Sequence, residues 1–458
     1  MAKRVVILGA GPCGLWAARE LIENPGIEVF IVEKEDRPGG LCRTHEKDGF
    51  RFDLGGHRFI TSDPVLAGEV RDLMGESLLR PQRKSRILLG GKYYSYPVGM
   101  ADLFRGGLRD NARMAAGFFR ARWRRALKAP AGRDLASWLK GEYGDGIYDR
   151  FFRPYTAKVW GLPPERLSAA WAGSRIPGLR VRDVVSRRRG RSFAREYLYP
   201  EKGMGQLFDV LAQDLERNGV RFLFSSRITG LSPKGGRVSA VRCENGSVLP
   251  CDGVISTIPL PELAACLGVP CGAFKFRAIR FLNIMLDCAG VSDNTWIYVP
   301  EPRYLFARLQ EPRKRSPQSA PPGKTSLMLE IPCDEGDATW TLPLADLFRR
   351  CRKDLAEMGF SGLMDRVIGY FDTFAECGYP VLPLGAESGR KEVLDGIRRI
   401  GNVVSCGRQG AFSYLFMDQA MAQGAAAARK VLDWKGVDDR EIYGIGEGEG
   451  YVEGAAVT

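Results

Sequence analysis

An α/β fold, a Rossmann-like parallel sheet into which a mixed sheet-plus-helix domain is inserted, is what this 458-residue sequence predicts, on three observations. Val5-Val6-Ile7-Leu8 runs straight into Gly9-x-Gly11-x-x-Gly14 and then a helical stretch from Leu15 to Leu21, which reads as strand, tight turn, helix. Glu28-Val29-Phe30-Ile31-Val32 is a second apolar strand, ending at Glu33, nineteen residues after Gly14. Val403-Val404-Ser405-Cys406-Gly407-Arg408 supplies a late strand, a Gly-Arg turn and a helix through Ala428, a second strand–turn–helix pattern near the other end of the sequence.

The glycine spacing carries chemistry as well as shape. Gly9 permits the turn, Gly11 lets backbone N–H groups approach a pyrophosphate, and Gly14 allows close helix–strand packing, with the helix N-terminus favouring negative charge. A carboxylate at Glu33 would accept hydrogen bonds from the hydroxyls of an adenosine ribose. A plain tight turn is the alternative reading of the same glycines.

Beyond Glu33 comes Arg37-Pro38-Gly39-Gly40-Leu41-Cys42-Arg43-Thr44, a second glycine pair flanked by arginines, and then Phe50-Arg51-Phe52-Asp53-Leu54-Gly55-Gly56-His57-Arg58-Phe59. Together with the first motif these segments resemble the FAD-dependent superfamily of amine oxidases, protoporphyrinogen oxidases, carotenoid desaturases and UDP-galactopyranose mutases. That resemblance implies FAD as cofactor, with the second glycine pair close to it and the Asp53–His57 segment beside the flavin ring. The cofactor-binding set it implies is Gly9, Gly11, Pro12, Cys13, Gly14, Glu33, Lys34, Gly40, Leu41, Gly56, His57 and Arg58. Ile228, Gly407, Arg408, Met417, Asp418 and Gln419 complete it.

Length and 45% hydrophobic content allow a large core split into two or three domains. The balance of 67 Lys+Arg against 54 Asp+Glu gives +13, which suits an anionic membrane or a phosphorylated small molecule; no recognisable nucleic-acid module accompanies it. Only His45 and His57 are present, so a histidine-rich metal site is excluded and no metal is expected. The eleven cysteines are scattered, and neither a signal peptide nor a membrane-spanning run is evident, so a reduced, cytoplasmic setting is expected.

Along the chain, Asp63-Pro64 starts a helix to about Met74, and Arg86–Leu89 with Lys92–Tyr96 form a hairpin across Gly90-Gly91. From Phe104 the pattern is helical and basic: Arg113, Arg120, Arg122, Arg124, Arg125 and Lys128 interleave with Met114, Phe118, Phe119, Trp123 and Leu127. This is either the solvated face of a cap domain or an amphipathic helix lying on an anionic membrane. Arg153-Pro154-Tyr155-Thr156-Ala157-Lys158-Val159-Trp160-Gly161, followed by Arg175-Ile176-Pro177, resembles the mobile-loop segment of UDP-galactopyranose mutases and their uncharacterised relatives. The resemblance implies Trp160 beside a nucleotide base and Arg175 on a diphosphate. A core aromatic and a surface charge are the plainer readings. The arginine run from Arg180 to Arg195 would raise the local potential of such a lid.

Domain boundaries are expected at 1–75, 197–264 and 379–435 for the three parts of the FAD domain. A helical cap or lid would occupy 76–196, an antiparallel-sheet substrate domain 265–378, and a disordered tail 436–458. Ile228 is placed near adenine by position in the superfamily. Arg308 aligns with a mutase arginine on the substrate diphosphate, and Tyr414 joins the substrate set. Asp418 either caps the closing helix or contacts the flavin. Where the mutases carry a second histidine this chain has Ile60, and Phe412 and Leu415 stand at positions of mutase tyrosines. The expected function is an FAD enzyme acting on a small molecule, a nucleotide-linked sugar or similar phosphorylated substrate, with His57 orienting substrate, transferring a proton or serving structurally. A redox-neutral sugar-ring isomerase and an oxidase or desaturase of an apolar substrate are the alternatives.

Overall fold

The computed structural model describes residues 3–96, 108–126, 132–172, 176, 197–434 and 436–446, with the backbone alone for 108–111 and 124–126. The sheet shared by the two ends of the chain is parallel and five-stranded. Its spatial order is Val403–Ser405, Gly253–Ser256, Lys3–Leu8, Ile27–Val32, Arg221–Leu223. Val5, Val6, Ile7 and Leu8 are fully buried because this central strand is covered on both faces. Val5 and Ile7 pack with Leu15, Ala17 and Met421, whereas Val6 and Leu8 pack with Leu231, Val241 and Phe412, the alternation a pleated strand requires. Each such side chain contributes about 1.5–3 kcal/mol on burial.

The helix Pro12–Ile22 follows the first strand, and the closing helix Met417–Leu432 lies against it. Their approach is so close that a Cβ on Gly424 would sit 2.1 Å from the Cys13 carbonyl oxygen. The helix Pro64–Met74 begins where expected, with Asp63 accepting from the N–H groups of Val65 and Leu66. A three-stranded antiparallel sheet, Ile228–Lys234, Arg237–Cys243 and Val248–Pro250, follows the parallel sheet's edge strand.

The inserted domain is organised by a seven-stranded sheet. Its order is Val367–Pro380, Phe276–Leu286, Thr325–Cys333, Arg308–Gln310, Trp296–Tyr298, Ser85–Leu89, Lys92–Ser95. All neighbours are antiparallel except Trp296–Tyr298 with Ser85–Ile87. The expected hairpin at 85–95 forms, but it extends the seven-stranded sheet and is not part of a helical region, because its apolar Ile87 and Leu88, on opposite faces, are each buried there. The stretch after Gly436, expected to be disordered, instead carries a helical turn Arg440–Tyr443. Ile442 is buried there, and the Tyr443 hydroxyl donates to the Ser405 carbonyl at 2.9 Å. Arg175 and the arginine run lie outside the described residues.

Candidate active site

The glycine turn has the geometry a pyrophosphate needs. Gly9 is at φ 102°, and a Cβ on Gly14 would lie 2.0 Å from the Gly9 carbonyl oxygen, so neither position admits a side chain. Gly11 differs: its Cβ would meet only the Gly40 Cα, at 4.0 Å. It caps the helix that starts at Pro12, and no side chain caps the first N–H groups there. Space and uncapped donors at a helix N-terminus fit a phosphate group. The second glycine pair is laced to the first, the Gly39 N–H donating to the Ala10 carbonyl at 2.8 Å.

Glu33 is buried, and its carboxylate accepts from the N–H groups of Ala10 at 2.7 Å and Glu35 at 3.0 Å, so it braces the glycine loop. Lys34, expected on the cofactor, pairs with Glu376 at 2.8 Å. The N–H of Ser226, two residues before Ile228, donates to the Glu33 carbonyl, which brings the strand of Ile228 to the same edge. Gly407 is at φ 81° and donates its N–H to Gln423, while its Cβ would lie 3.1 Å from the Cys13 sulfur. The Cys13 and Cys406 sulfurs are 3.5 Å apart; that contact and burial push the Cys13 thiol well above its ordinary pKa. The Arg408 guanidinium donates to the carbonyls of Leu415, at 3.0 and 2.5 Å, and Gly378, at 3.4 Å, so its bonds are engaged within the protein. Asp418 is not the cap. The closing helix starts at Met417, and Gln419 turns its side-chain oxygen back to the Phe416 N–H at 3.0 Å.

The segment that leads to His57 is fixed by Asp53, which is buried and accepts from the Tyr199 hydroxyl at 2.6 Å, Thr44 at 2.7 Å and the Met204 N–H at 3.0 Å. Arg315, also buried, pairs with it at 3.4 Å. Gly55, at φ 109°, and Gly56 then carry the chain to His57. A Cβ on Gly56 would lie 2.7 Å from an Arg308 nitrogen, so the missing side chain is what admits that guanidinium. His57 Nδ1 is buried without a hydrogen-bond partner. Burial, reinforced by Arg408, Arg315, Arg308 and Arg58, pulls the imidazole down to about 3, so the ring is neutral near pH 7.

Arg308 is set by sheet register: it lies opposite Tyr298 on one neighbouring strand and Glu330 on the other. Its Nε is 3.4 Å from the Glu330 carboxylate, and its guanidinium carbon is 5.3 Å from the Tyr298 ring centre. Tyr298 also meets Tyr96 at 4.5 Å and Tyr155 at 5.6 Å between ring centres. Burial raises the Tyr298 pKa, but Arg308, Arg83 and Arg58 outweigh it and hold the phenol below its ordinary value. Arg58 and Arg83 both lie over Trp296, at 5.1 and 5.0 Å, and burial with that like charge lowers Arg58 to about 9. Trp160 is buried beside Trp171, Tyr379 and Tyr414, at 4.9, 5.6 and 5.5 Å. Two expected substrate residues, Trp160 and Tyr414, thus come together.

Sequence reasoning missed Arg83, Trp296, Tyr298, Arg315 and the role of Lys158. The Lys158 amine donates to the carbonyls of Val299 and Glu301, both at 3.0 Å, and Phe306, at 2.5 Å, although burial lowers its pKa to about 7. It thereby pins the helix Arg153–Trp160 to the strands that carry Tyr298 and Arg308. Its place inside the Tyr-Thr-x-Lys-x-Trp-Gly segment was the signal available.

Among the described residues no cluster of histidine, cysteine or carboxylate could hold a metal, and no helix is long and apolar enough to cross a membrane. The family model of flavin containing amine oxidoreductases matches residues 12–432. Phytoene dehydrogenase of Streptomyces griseus is 28% identical over 300 residues, 58% of this chain and 56% of that protein. Coproporphyrinogen III oxidase of Staphylococcus aureus is 21% identical over 263 residues, 50% and 54% of the two chains. The chain therefore spans about half the length of these curated relatives. In fold, it superimposes on reduced UDP-galactopyranose mutase with a TM-score of 0.81 at 22% identity, covering 97% of this chain and 99% of that one.

Proposed function

The chain belongs to the family of flavin-containing amine oxidoreductases and uses FAD, and on that premise we propose that it acts on a nucleotide-linked sugar or a similarly phosphorylated small molecule in the cytoplasm. FAD held by the glycine cradle supplies hydride-accepting or nucleophilic chemistry at its ring. The observation that carries the substrate class is Arg308, held against Gly56 beside His57 within a wall of tyrosines. A guanidinium grips phosphate oxygens as a fork, and the rings of Trp160, Tyr379 and Tyr414 offer a wall against which a base packs. Neutral His57 orients a polar group and does not stand as an acid.

The redox-neutral isomerase alternative loses support at two positions. Phe412 is buried between Phe274 and Phe276, at 4.8 and 5.0 Å, and Leu415 is buried too, so no hydroxyl replaces the two mutase tyrosines at those positions.

The test is an anaerobic absorbance titration of the FAD-loaded protein, oxidised and dithionite-reduced, against UDP-, GDP- and dTDP-sugars. A saturable shift of the flavin bands is expected. Arg308→Lys, which keeps the charge and loses the fork, is expected to weaken it about tenfold with FAD retained. Absence of any shift in fully loaded protein would overturn this reading in favour of an apolar substrate.

A further inference from the structure

The helix Leu108–Ala126 has two unlike faces. Met114, Phe118 and Ala121 are buried, and the packing behind them is tight: a Cβ on Gly144 would lie 2.3 Å from the Gly117 carbonyl carbon, and one on Gly146 2.7 Å from the Met114 Cα. The helix is therefore seated on the segment that leads into the helix Arg153–Trp160. Its outer face carries Ala112, Ala116, Phe119 and Trp123, spaced by four, three and four residues, which places them in one stripe. Phe119 is 59% exposed and Trp123 67%. Burial of the opposite face already accounts for folding, so this stripe is surplus to it.

The charge around the stripe has one sign. Arg113 and Arg120 are exposed beside it, Arg113 also reaching Asp149 at 3.3 Å. Arg122 turns inward, over the Phe118 ring and toward Glu142. In the sequence, no acidic residue occurs between Asn111 and Lys128, a stretch that also holds Arg124 and Arg125.

We propose that this face docks on an anionic lipid bilayer, with Phe119 and Trp123 at the boundary of headgroups and acyl chains and the arginines on lipid phosphates. Tryptophan and phenylalanine on one side of a basic helix suit that interface, where each nearby arginine adds about 1 kcal/mol. A second copy of the chain suits it less, since a two-fold contact would set the same arginines against each other. The inference is independent of the substrate reading.

Co-sedimentation of the full, FAD-loaded protein with vesicles tests it. The protein is expected to pellet with phosphatidylcholine–phosphatidylglycerol vesicles and not with phosphatidylcholine alone, with binding reduced at about 0.5 M salt as the charges are screened. Phe119→Ser with Trp123→Ser is expected to keep FAD content and thermal midpoint, because both side chains are exposed, and to lower vesicle binding at least about tenfold. Equal binding to both vesicle types, or binding unchanged by the double substitution, would overturn the proposal. So would a dimer seen by light scattering that the double substitution abolishes while vesicles recruit nothing, which would assign the face to a second copy.

Discussion

Around Gly11 the protein makes its site from backbone, and around Arg308 it makes it from side chains. The cradle depends on atoms that are absent: Gly14 and Gly40 bring main chain against main chain, Gly9 and Gly39 hold left-handed turns, and Gly11 leaves a space. The cluster depends on side chains drawn from segments as far apart as Arg58 and Tyr414, each oriented by a neighbour: Arg308 by Glu330, Tyr298 by Tyr96, Trp160 by Trp171. Steric demand of the first kind is local and unforgiving, whereas a constellation of the second kind can drift residue by residue while the fold stays. A family that keeps its cofactor and changes its substrates would divide its structure in this way.

The sharpest way to break the comparison lies within the cradle. Gly14→Val drives a side chain into the Gly9 carbonyl, 2.0 Å from the Cβ position, and is expected to leave no soluble, folded protein, since the backbone there cannot yield. In Gly11→Val the added Cβ meets nothing nearer than 4.0 Å and the residue stands at φ −77°, so the cofactor-free protein is expected to fold, with its thermal midpoint lowered only by the poorer helix cap. Its flavin-to-protein absorbance ratio is expected to fall to near zero. A yellow, fully loaded Gly11→Val protein would show that this space does not receive the pyrophosphate.

A smaller effect is expected where the cluster is anchored. Lys158→Met removes the donor shared by the carbonyls of Val299, Glu301 and Phe306 and is expected to cost about 2–4 kcal/mol, read as a lowered denaturation midpoint. FAD content should stay whole, because none of these groups belongs to the cradle. Loss of flavin in that variant would show that the two regions are coupled through the helix Arg153–Trp160.

The same division explains what could be read from the sequence. Gly9, Gly11 and Gly14 were legible because strand, turn and helix are contiguous and only glycine meets their geometry. Glu33 was found as a carboxylate at the right distance, yet its bond to the Ala10 N–H depends on a turn that spacing alone does not describe. Arg308 was found by resemblance, but its partners were not, because Tyr298 and Glu330 meet it only through the register of two non-local strand pairings. Arg83 lay just before a recognised hairpin and carried no signal of its own; only the pairing of that hairpin with the strand of Trp296 sets it against that ring. The ion pair of Lys34 was out of reach for the same reason, its partner Glu376 lying on a strand of the large sheet.

The smallest expected effect tests His57, which stands where the two regions meet. Its folded pKa of about 3 is set first by burial and then by four guanidiniums, and His45 is lowered to about 4 by burial and nearby arginines. In the unfolded chain an imidazole takes a proton below about pH 6.5, while in the folded protein it stays neutral. The stability tied to each neutral ring is therefore fully present above about pH 6.5 and is lost as the pH falls from there toward the folded value. Thermal midpoints between about pH 7.5 and 5.5, above most of the carboxylate range, should fall with decreasing pH in the native protein and fall less in His57→Gln, where His45 and Lys158, the latter lowered to about 7, still contribute but His57 does not. Parallel curves would mean that folded His57 takes up a proton as readily as the unfolded chain does. It could then serve as the acid of the reaction, and its assignment as a neutral orienting group would be withdrawn.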